Sequence, residues 1–509
     1  MNVPNVYTFA NSRNPVIAYN FASEMRVKSL LYSVDIETGK YANLNITGRN
    51  DQLSALNKEN NSFFYPSFNL STVLNDYIDM PTQINFFKLR ASYAKVRGGG
   101  SFVSDYIGAT PNNAFPLGYG QQYSSTYGGP TYTYADVYST GIGYNNTTQA
   151  SFTNTLVDAN VQPDDRTSFE FGVEAKAFNN RVGIEASYYQ YTDGPQIFSK
   201  SISQTSGYAS YVVNGTKTQR TGWDVTINGA VIKSTKGVSW DATLNLGAFT
   251  NKFKELPTGL SILNTFYKVG SRTDEVWFRM MARTPDGQLI NDAGGRPIYL
   301  PVAQYVGNSN PDLVWGLNNK LTYKAFTFNF QIDGRLGGVM EDYVRKKTFQ
   351  GGRHIETVQG AMGEARYQDY KGVKSYVGEG VVVASGTPVF DPVTGRITNY
   401  NQLTFAPNTI KTFIQDYISR VHGNPEPNIM SKTYMKLREV MLTYELPQAL
   451  VQKSIFKKAT VSLVARNLLY WMPDTRFNDV DIDQYPGESS IGLQTPTTRS
   501  YGININFIF

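Results

Sequence analysis

The chain ends Ser500-Tyr-Gly-Ile-Asn-Ile-Asn-Phe-Ile-Phe509. Tyr501, Ile503, Ile505, Phe507 and Phe509 share one face of an extended strand, and Gly502, Asn504, Asn506 and Ile508 share the other. A period of two with apolar residues on one side means a strand whose faces meet different surroundings. Two settings satisfy it. In an outer-membrane β-barrel the apolar face meets lipid and the polar face meets the lumen. In a soluble sandwich the apolar face turns inward against a second sheet.

The same alternation recurs upstream in about thirteen segments, a length and pattern suited to barrel strands. They lie near 26–36, 41–50, 62–74, 84–96, 166–176, 182–192, 219–232, 238–250, 313–323, 326–337, 433–446, 459–469 and 499–509. Val182, Ile184, Ala186 and Tyr188 stand opposite Gly183, Glu185, Ser187 and Tyr189; Trp240 to Ala248 repeats the pattern. The connections discriminate between the settings. Short links (37–40, 177–181, 233–237, 324–325) alternate with long ones (97–165, 193–218, 251–312, 338–432, 470–498), and 51–61 is the shortest of the outer set. Tight turns at one rim and extended loops at the other belong to a transmembrane barrel. A sandwich has no reason to place its long loops at one end, and soluble domains seldom carry loops beyond about 15 residues.

Composition agrees. At 509 residues the chain exceeds one ordinary globular core, yet no linker, charge block or compositional shift marks a boundary. A barrel grows by adding strands and needs no boundary. The 35 Tyr and 29 Phe against 5 Trp suit interfacial girdles and ligand-facing loops, and also plain strand propensity. Mean hydropathy is −0.34, and no run of about 18 apolar residues offers a membrane helix. There is no cysteine, which removes disulfides, thiolate metal sites and cysteine nucleophiles. Net charge is +6, but the basic residues are scattered and the densest run is Arg345-Lys346-Lys347, so no nucleic-acid partner is expected.

Several blocks, in order, resemble the SusC/RagA-type TonB-dependent transporters. They are Asn45-Ile-Thr-Gly-Arg-Asn-Asp51, Phe64-Tyr-Pro-Ser-Phe-Asn-Leu-Ser71, Phe87-Lys-Leu-Arg-Ala-Ser-Tyr93, Glu170-Phe-Gly-Val-Glu174 and Thr221-Gly-Trp-Asp-Val-Thr-Ile-Asn228. Tyr434 to Pro447, Val464-Ala-Arg-Asn-Leu-Leu469 and Pro496 to Phe509 continue the match. The resemblance covers residues 26–509 and implies an all-β fold: about 13–14 strands of a larger, 22-stranded antiparallel transmembrane β-barrel with long extracellular loops. It implies that residues 1–509 are the carboxy-terminal part of a TonB-dependent receptor barrel, with signal peptide, amino-terminal plug and TonB box absent. It also implies an outer-membrane nutrient importer of Bacteroidetes-type bacteria, embedded in outer-membrane lipid. Such an importer takes up oligosaccharides or peptides beneath a SusD-like surface lipoprotein, with TonB engaged through the missing amino-terminal part. The alternatives are a passive pore or adhesin-like barrel, or a soluble all-β carbohydrate-binding protein.

Catalytic chemistry finds little support. His354 and His422 both fall in the longest loop without metal-ligand spacing, and the reading favours exposed, non-functional side chains. No carboxylate pair can be nominated for glycoside hydrolysis, so the chain reads as no enzyme. Asp479, Asp481 and Asp483 invite a loop-bound calcium, although Gln484 and Ser490 stand where an EF-hand loop needs Gly and Glu. A solvated acidic loop is the simpler reading, and no cofactor is expected. Gly98-Gly-Gly100 lacks the lysine and helix of a phosphate loop. Tyr119, Tyr123, Tyr127, Tyr132 and Tyr134 punctuate a glycine-rich loop and are candidates for stacking on sugars or peptide side chains, or on one another. The resemblance further implies that Tyr501, Ile505, Phe507 and Phe509 form a terminal assembly signal.

Overall fold

In the computed structural model, residues 3–6, 8, 11 and 26–509 are described, apart from 55–57, 99–137, 143–146, 153, 159, 163, 235, 264–265, 453–454, 477–479 and 492–493. Thirteen strands pair antiparallel in chain order. They are β1 (Val27–Glu37), β2 (Asn43–Leu53), β3 (Ser62–Val73), β4 (Ile84–Gly98), β5 (Asp164–Ala177), β6 (Val182–Ser201) and β7 (Ser210–Ile232). After them come β8 (Ser239–Glu255), β9 (Leu313–Tyr323), β10 (Phe326–Leu336), β11 (Tyr434–Glu445), β12 (Lys458–Trp471) and β13 (Ser500–Ile508). The short strand Thr155–Val157 adds in parallel to Ser210–Val212 of β7, making a fourteen-stranded sheet. Each segment expected from alternation is present, because a strand between two solvents must alternate along its whole length.

Register turns that alternation into two continuous surfaces. Ile184, Ile227, Leu244, Leu317, Ile332, Leu437 and Leu469 face one another in a single row across seven strands. Ile46, Phe68, Tyr93 and Phe169 form a similar row on the same side of β2 to β5. The opposite surface carries Glu174, Glu185, Thr226, Asn245, Gly316, Asp333 and Lys436 in one row. Among the described residues no second sheet covers the apolar side: Ile503 is 70% exposed, Leu463 55% and Ile184 43%. A sandwich would bury these residues. A contiguous apolar surface of this extent needs lipid, and the soluble reading fails here.

The rims differ as expected, with one correction. The links after odd-numbered strands are turns or short segments, and the links after even-numbered strands lie at the other rim. The stretch 193–218, expected to be a long loop, is instead a continuation of the ladder. β6 runs 20 residues and β7 runs 23, so only 202–209 connects them. A membrane crossing uses about 9–11 residues per strand, and the remainder of this hairpin projects beyond the outer rim.

The long connections 256–312, 337–433 and 472–499 fold together into a cap. It holds helices α1 (Tyr343–Gln350), α2 (Gly360–Tyr370) and α3 (Ile414–Gly423) and several short strands. Three small cores knit it. Ala282 and Ile290 of the first loop pack with Val381, Ile397 and Leu403 of the second. Met340 and Met430 of the second pack with Met472, Val480 and Ile482 of the third. Phe349, Ala365, Ile414, Tyr417 and Ile418 hold the helices to each other. Among the described residues no helix is long and apolar enough to cross a membrane.

Candidate functional site

The polar face of the sheet, with the cap tied to it, is where ligand chemistry is possible. The tie begins in β11, where Lys436 and Arg438 alternate onto the polar side. Lys436 binds Asp481, Asp483 (2.9 Å) and the Thr497 hydroxyl (3.2 Å). Arg438 donates to Asp333 of β10 (2.6 Å) and pairs with Asp483. The third loop is thus pinned to the wall by buried ion pairs. Burial alone raises the Asp483 carboxyl, but hydrogen bonds with Asp481, Lys436 and Arg438 outweigh it and hold the group well below the usual carboxylate range.

A second tie gathers all three loops. Lys432 is fully buried, and its ammonium donates to the carbonyls of Ser309 (2.9 Å), Pro486 (2.8 Å) and Gly487 (3.0 Å). Burial chiefly, with Arg335 nearby, lowers the ammonium to about 8. Glu426 joins the loops again, accepting from the Met281 N–H (2.5 Å) and from Arg283 (2.8 Å).

On β6 to β8 the polar face is paved with side chains lying flat across strands. Arg220 stands in register between Tyr191 and Asn251, Gly222 between Tyr189 and Phe249, and Asp224 between Ser187 and Gly247. The Tyr189 phenol crosses Gly222, where a Cβ would sit 2.5 Å from its oxygen. Arg90 likewise lies over Gly172 to reach Glu185 (2.8 Å) and Ser187 (2.6 Å). Tyr189 and Tyr191 stack with centroids 6.0 Å apart, and the Arg166 guanidinium lies 4.5 Å from the Tyr191 ring. Beside them opens a cleft of about 600 Å³ whose lining includes Tyr189, Asp224, Asn245, Phe249, Gln331 and Asp333.

The residues singled out from sequence meet different fates. Tyr119, Tyr123, Tyr127, Tyr132 and Tyr134 lie outside the described residues, as does Asp479. Asp481 and Asp483 do seek a cation, but the protein supplies it: their carboxylates are committed to Lys436, Arg438 and Thr497. Among the described residues no cluster of three or more His, Asp or Glu could hold a metal. The histidines are not exposed. His354 and His422 sandwich Phe349, with ring centroids 4.1 and 3.8 Å away, and His422 Nδ1 meets the Asn428 side chain at 2.9 Å. Burial lowers His422 to about 4. Tyr501, Ile505 and Phe507 line the exposed apolar face of β13, and Phe456 contacts Phe507 and Phe509 with centroids 4.4 and 5.0 Å away. Lys432, Lys436, Arg438 and Arg220 were not singled out from sequence, although their alternation with apolar neighbours marks Lys436, Arg438 and Arg220 as polar-face residues.

Comparison with known proteins decides the kind of barrel. No family model matches the chain. A curated relative, a TonB-dependent receptor of Formosa agariphila, is 23% identical, the match covering 91% of this chain and 44% of that protein. The solved RagAB peptide transporter superposes with a TM-score of 0.64 at 17% identity, over 97% of this chain and 49% of that one. The RagAB peptide importer in its open-open state gives 0.67 at 16% identity, over 98% and 48%.

The fold is that of the barrel in the RagAB peptide transporter structures.

The wall stands in the bacterial outer membrane, and its apolar rows are the lipid face. The chain spans about half the length of the relatives it matches.

Proposed function

We propose that this chain forms the carboxy-terminal part of the wall of a TonB-dependent importer. It takes up oligosaccharides or peptides together with a SusD-like surface lipoprotein, and TonB acts through an amino-terminal part of the transporter. The observation that carries the reading is the pairing of one uncovered apolar face with one charged face, under a cap built from three long outer loops. A cap anchored by buried ions to the lumen wall suits a gated path, and the likeness to the RagAB peptide transporter supports the same reading. We extend the proposal to Tyr119, Tyr123, Tyr127, Tyr132 and Tyr134 as ligand contacts, on the strength of their aromatic spacing alone.

The test is made in the bacterium that encodes the protein. Deleting the gene should abolish uptake of one class of labelled oligosaccharide or peptide and leave other nutrients untouched. Affinity purification from detergent-solubilised outer membrane should recover a surface lipoprotein. Uptake that persists when TonB is depleted would favour a passive pore, and unchanged uptake of every class after deletion would defeat the importer reading.

A further inference from the structure

One guanidinium on the outer half of the polar wall has been left without a counter-ion. Among the described residues Arg220 makes no ion pair and no hydrogen bond, and its Nε is buried. Three carboxylates of the same wall are committed to other cations, and Asp224 stands four residues away, roughly 13 Å along the strand. Asp193 holds Arg166 through two bonds of 2.5 and 3.1 Å, Glu185 holds Arg90 at 2.8 Å, and Glu255 holds Lys217 at 2.9 Å. Directly across the ladder, Oδ1 of Asn251 is also buried without a donor. Leaving a charged donor and an amide acceptor unpaired side by side costs free energy that a ligand can recover.

The surroundings say which ligand. The guanidinium plane is flanked by rings, 4.5 Å from Phe249 and 5.4 Å from Tyr191, so its edge is the part left for a hydrogen-bonding partner. A planar fork with an open edge matches a carboxylate. Phe249 also lines the adjoining cleft, which holds open carboxylate oxygens beside the Gln331 and Asn245 amides and the Tyr189 hydroxyl. Asp224 makes no hydrogen bond or ion pair among the described residues, and Oδ1 of Asp333 is buried without a donor. Arg220 and Asp224 are four residues apart on one strand face, roughly 13 Å at the strand rise. The two ends therefore ask for different chemistry on one ligand.

We propose that Arg220 is a carboxylate-recognition site on the lumen wall. The ligand places one carboxylate on Arg220 and stacks its adjoining ring or apolar stem on Phe249 and Tyr191. It then reaches Asp224 and Asp333 with hydroxyl or N–H donors. A second acidic group over the cleft would meet Asp224 and is disfavoured. A terminal uronate sugar and a peptide carboxy terminus share this chemistry. The proposal rests on the importer reading and adds the ligand class to it.

The protein, purified from the outer membrane of the bacterium that makes it, is titrated calorimetrically with four probes. They are a neutral tetrasaccharide ending in one uronate, its carboxyl-reduced counterpart, a tetra-alanine peptide with a free carboxy terminus, and its amide. At least one acidic probe should bind about ten- to a hundredfold more tightly than its neutral partner, the factor a hydrogen bond to a charged group is worth. Which pair shows the factor names the source. R220Q should remove the factor while leaving the neutral probe's affinity in place. R220K, which keeps the charge and loses the fork, should retain a fraction of it, and it decides the matter if R220Q loses its heat-resistant migration. Equal affinity within both pairs, no binding of either acidic probe, or an undiminished factor in R220Q or R220K would overturn the site. None of these outcomes touches the importer reading, which gene deletion and uptake test separately.

Discussion

The wall and the cap are held together by opposite means. From β1 to β13 the apolar side chains point outward, so the wall has a ladder of backbone hydrogen bonds and a lipid-facing surface where a soluble protein has a core. Its cohesion is that of paired strands in a solvent that offers no competing hydrogen bonds. The cap buries its side chains in three small clusters and spends charges inside itself, with Lys432 and Glu426 each joining segments distant in sequence. One region answers to lipid, the other to water, pH and unpaired charge. A perturbation that is severe in one should be mild in the other.

The largest effect is expected at the seam between them. K436M leaves Asp481 and Asp483 deprived of their shared ammonium, and breaking a buried ion pair from one side costs roughly 3–5 kcal/mol. Limited proteolysis should then cut within 472–499 while the barrel keeps its heat-resistant migration. Loss of both together would mean that cap and wall are one cooperative unit.

Next comes the lipid face. L244R should destabilise the wall by roughly 2–4 kcal/mol, as arginine does near the bilayer midplane. T243R, one residue away on the polar side, should be tolerated. The comparison breaks if the two variants unfold alike in urea.

The cap has its own pH response. His422 is buried and neutral, and its folded value of about 4 lies below the ordinary 6.5. The unfolded cap therefore binds the proton first. The stability contributed by neutral His422 is complete above pH 6.5 and is lost as pH falls toward 4, up to about 3 kcal/mol by linkage. Protease resistance of the cap should decline across that interval while the wall's heat-resistant migration stays level, and H422Q should flatten the decline. A wall that weakens in parallel would contradict the separation.

The smallest effect concerns β13. Removing Phe509 forfeits an edge contact with Phe456, worth about 1 kcal/mol. If the terminal aromatic is also an assembly signal, deletion should lower the outer-membrane level and leave precursor in the periplasm, with transport per inserted molecule unchanged. Normal insertion with a lowered melting point would assign the residue to packing alone.

Legibility from sequence follows the same divide. A strand between lipid and lumen must alternate for its whole length, so Val182 to Tyr188 and Trp240 to Ala248 declared themselves without any tertiary knowledge. The projecting part of β6 and β7 was missed because Gly194, Pro195 and Gly215 interrupt the pattern where no lipid enforces it. In the cap, Ile414, Tyr417, Ile418 and Val421 do carry helical spacing, a signal masked by the expectation of a plain loop. Asp481 and Asp483, expected on a solvated acidic loop, are instead held in buried ion pairs. Their partner, Lys436, lies 45 residues from Asp481, a pairing that local reading cannot reach. His422 sits beside Gly423 and Asn424 in a polar stretch, and only the fold shows that Phe349 lies against it.

The three acceptors around Lys432 are all main-chain oxygens, supplied by Ser309, Pro486 and Gly487. A carbonyl is the same whichever side chain its residue bears. The first and third loops can therefore exchange side chains at these points without removing an acceptor from the knot that holds them. At this knot the one side chain that cannot be exchanged is the lysine's.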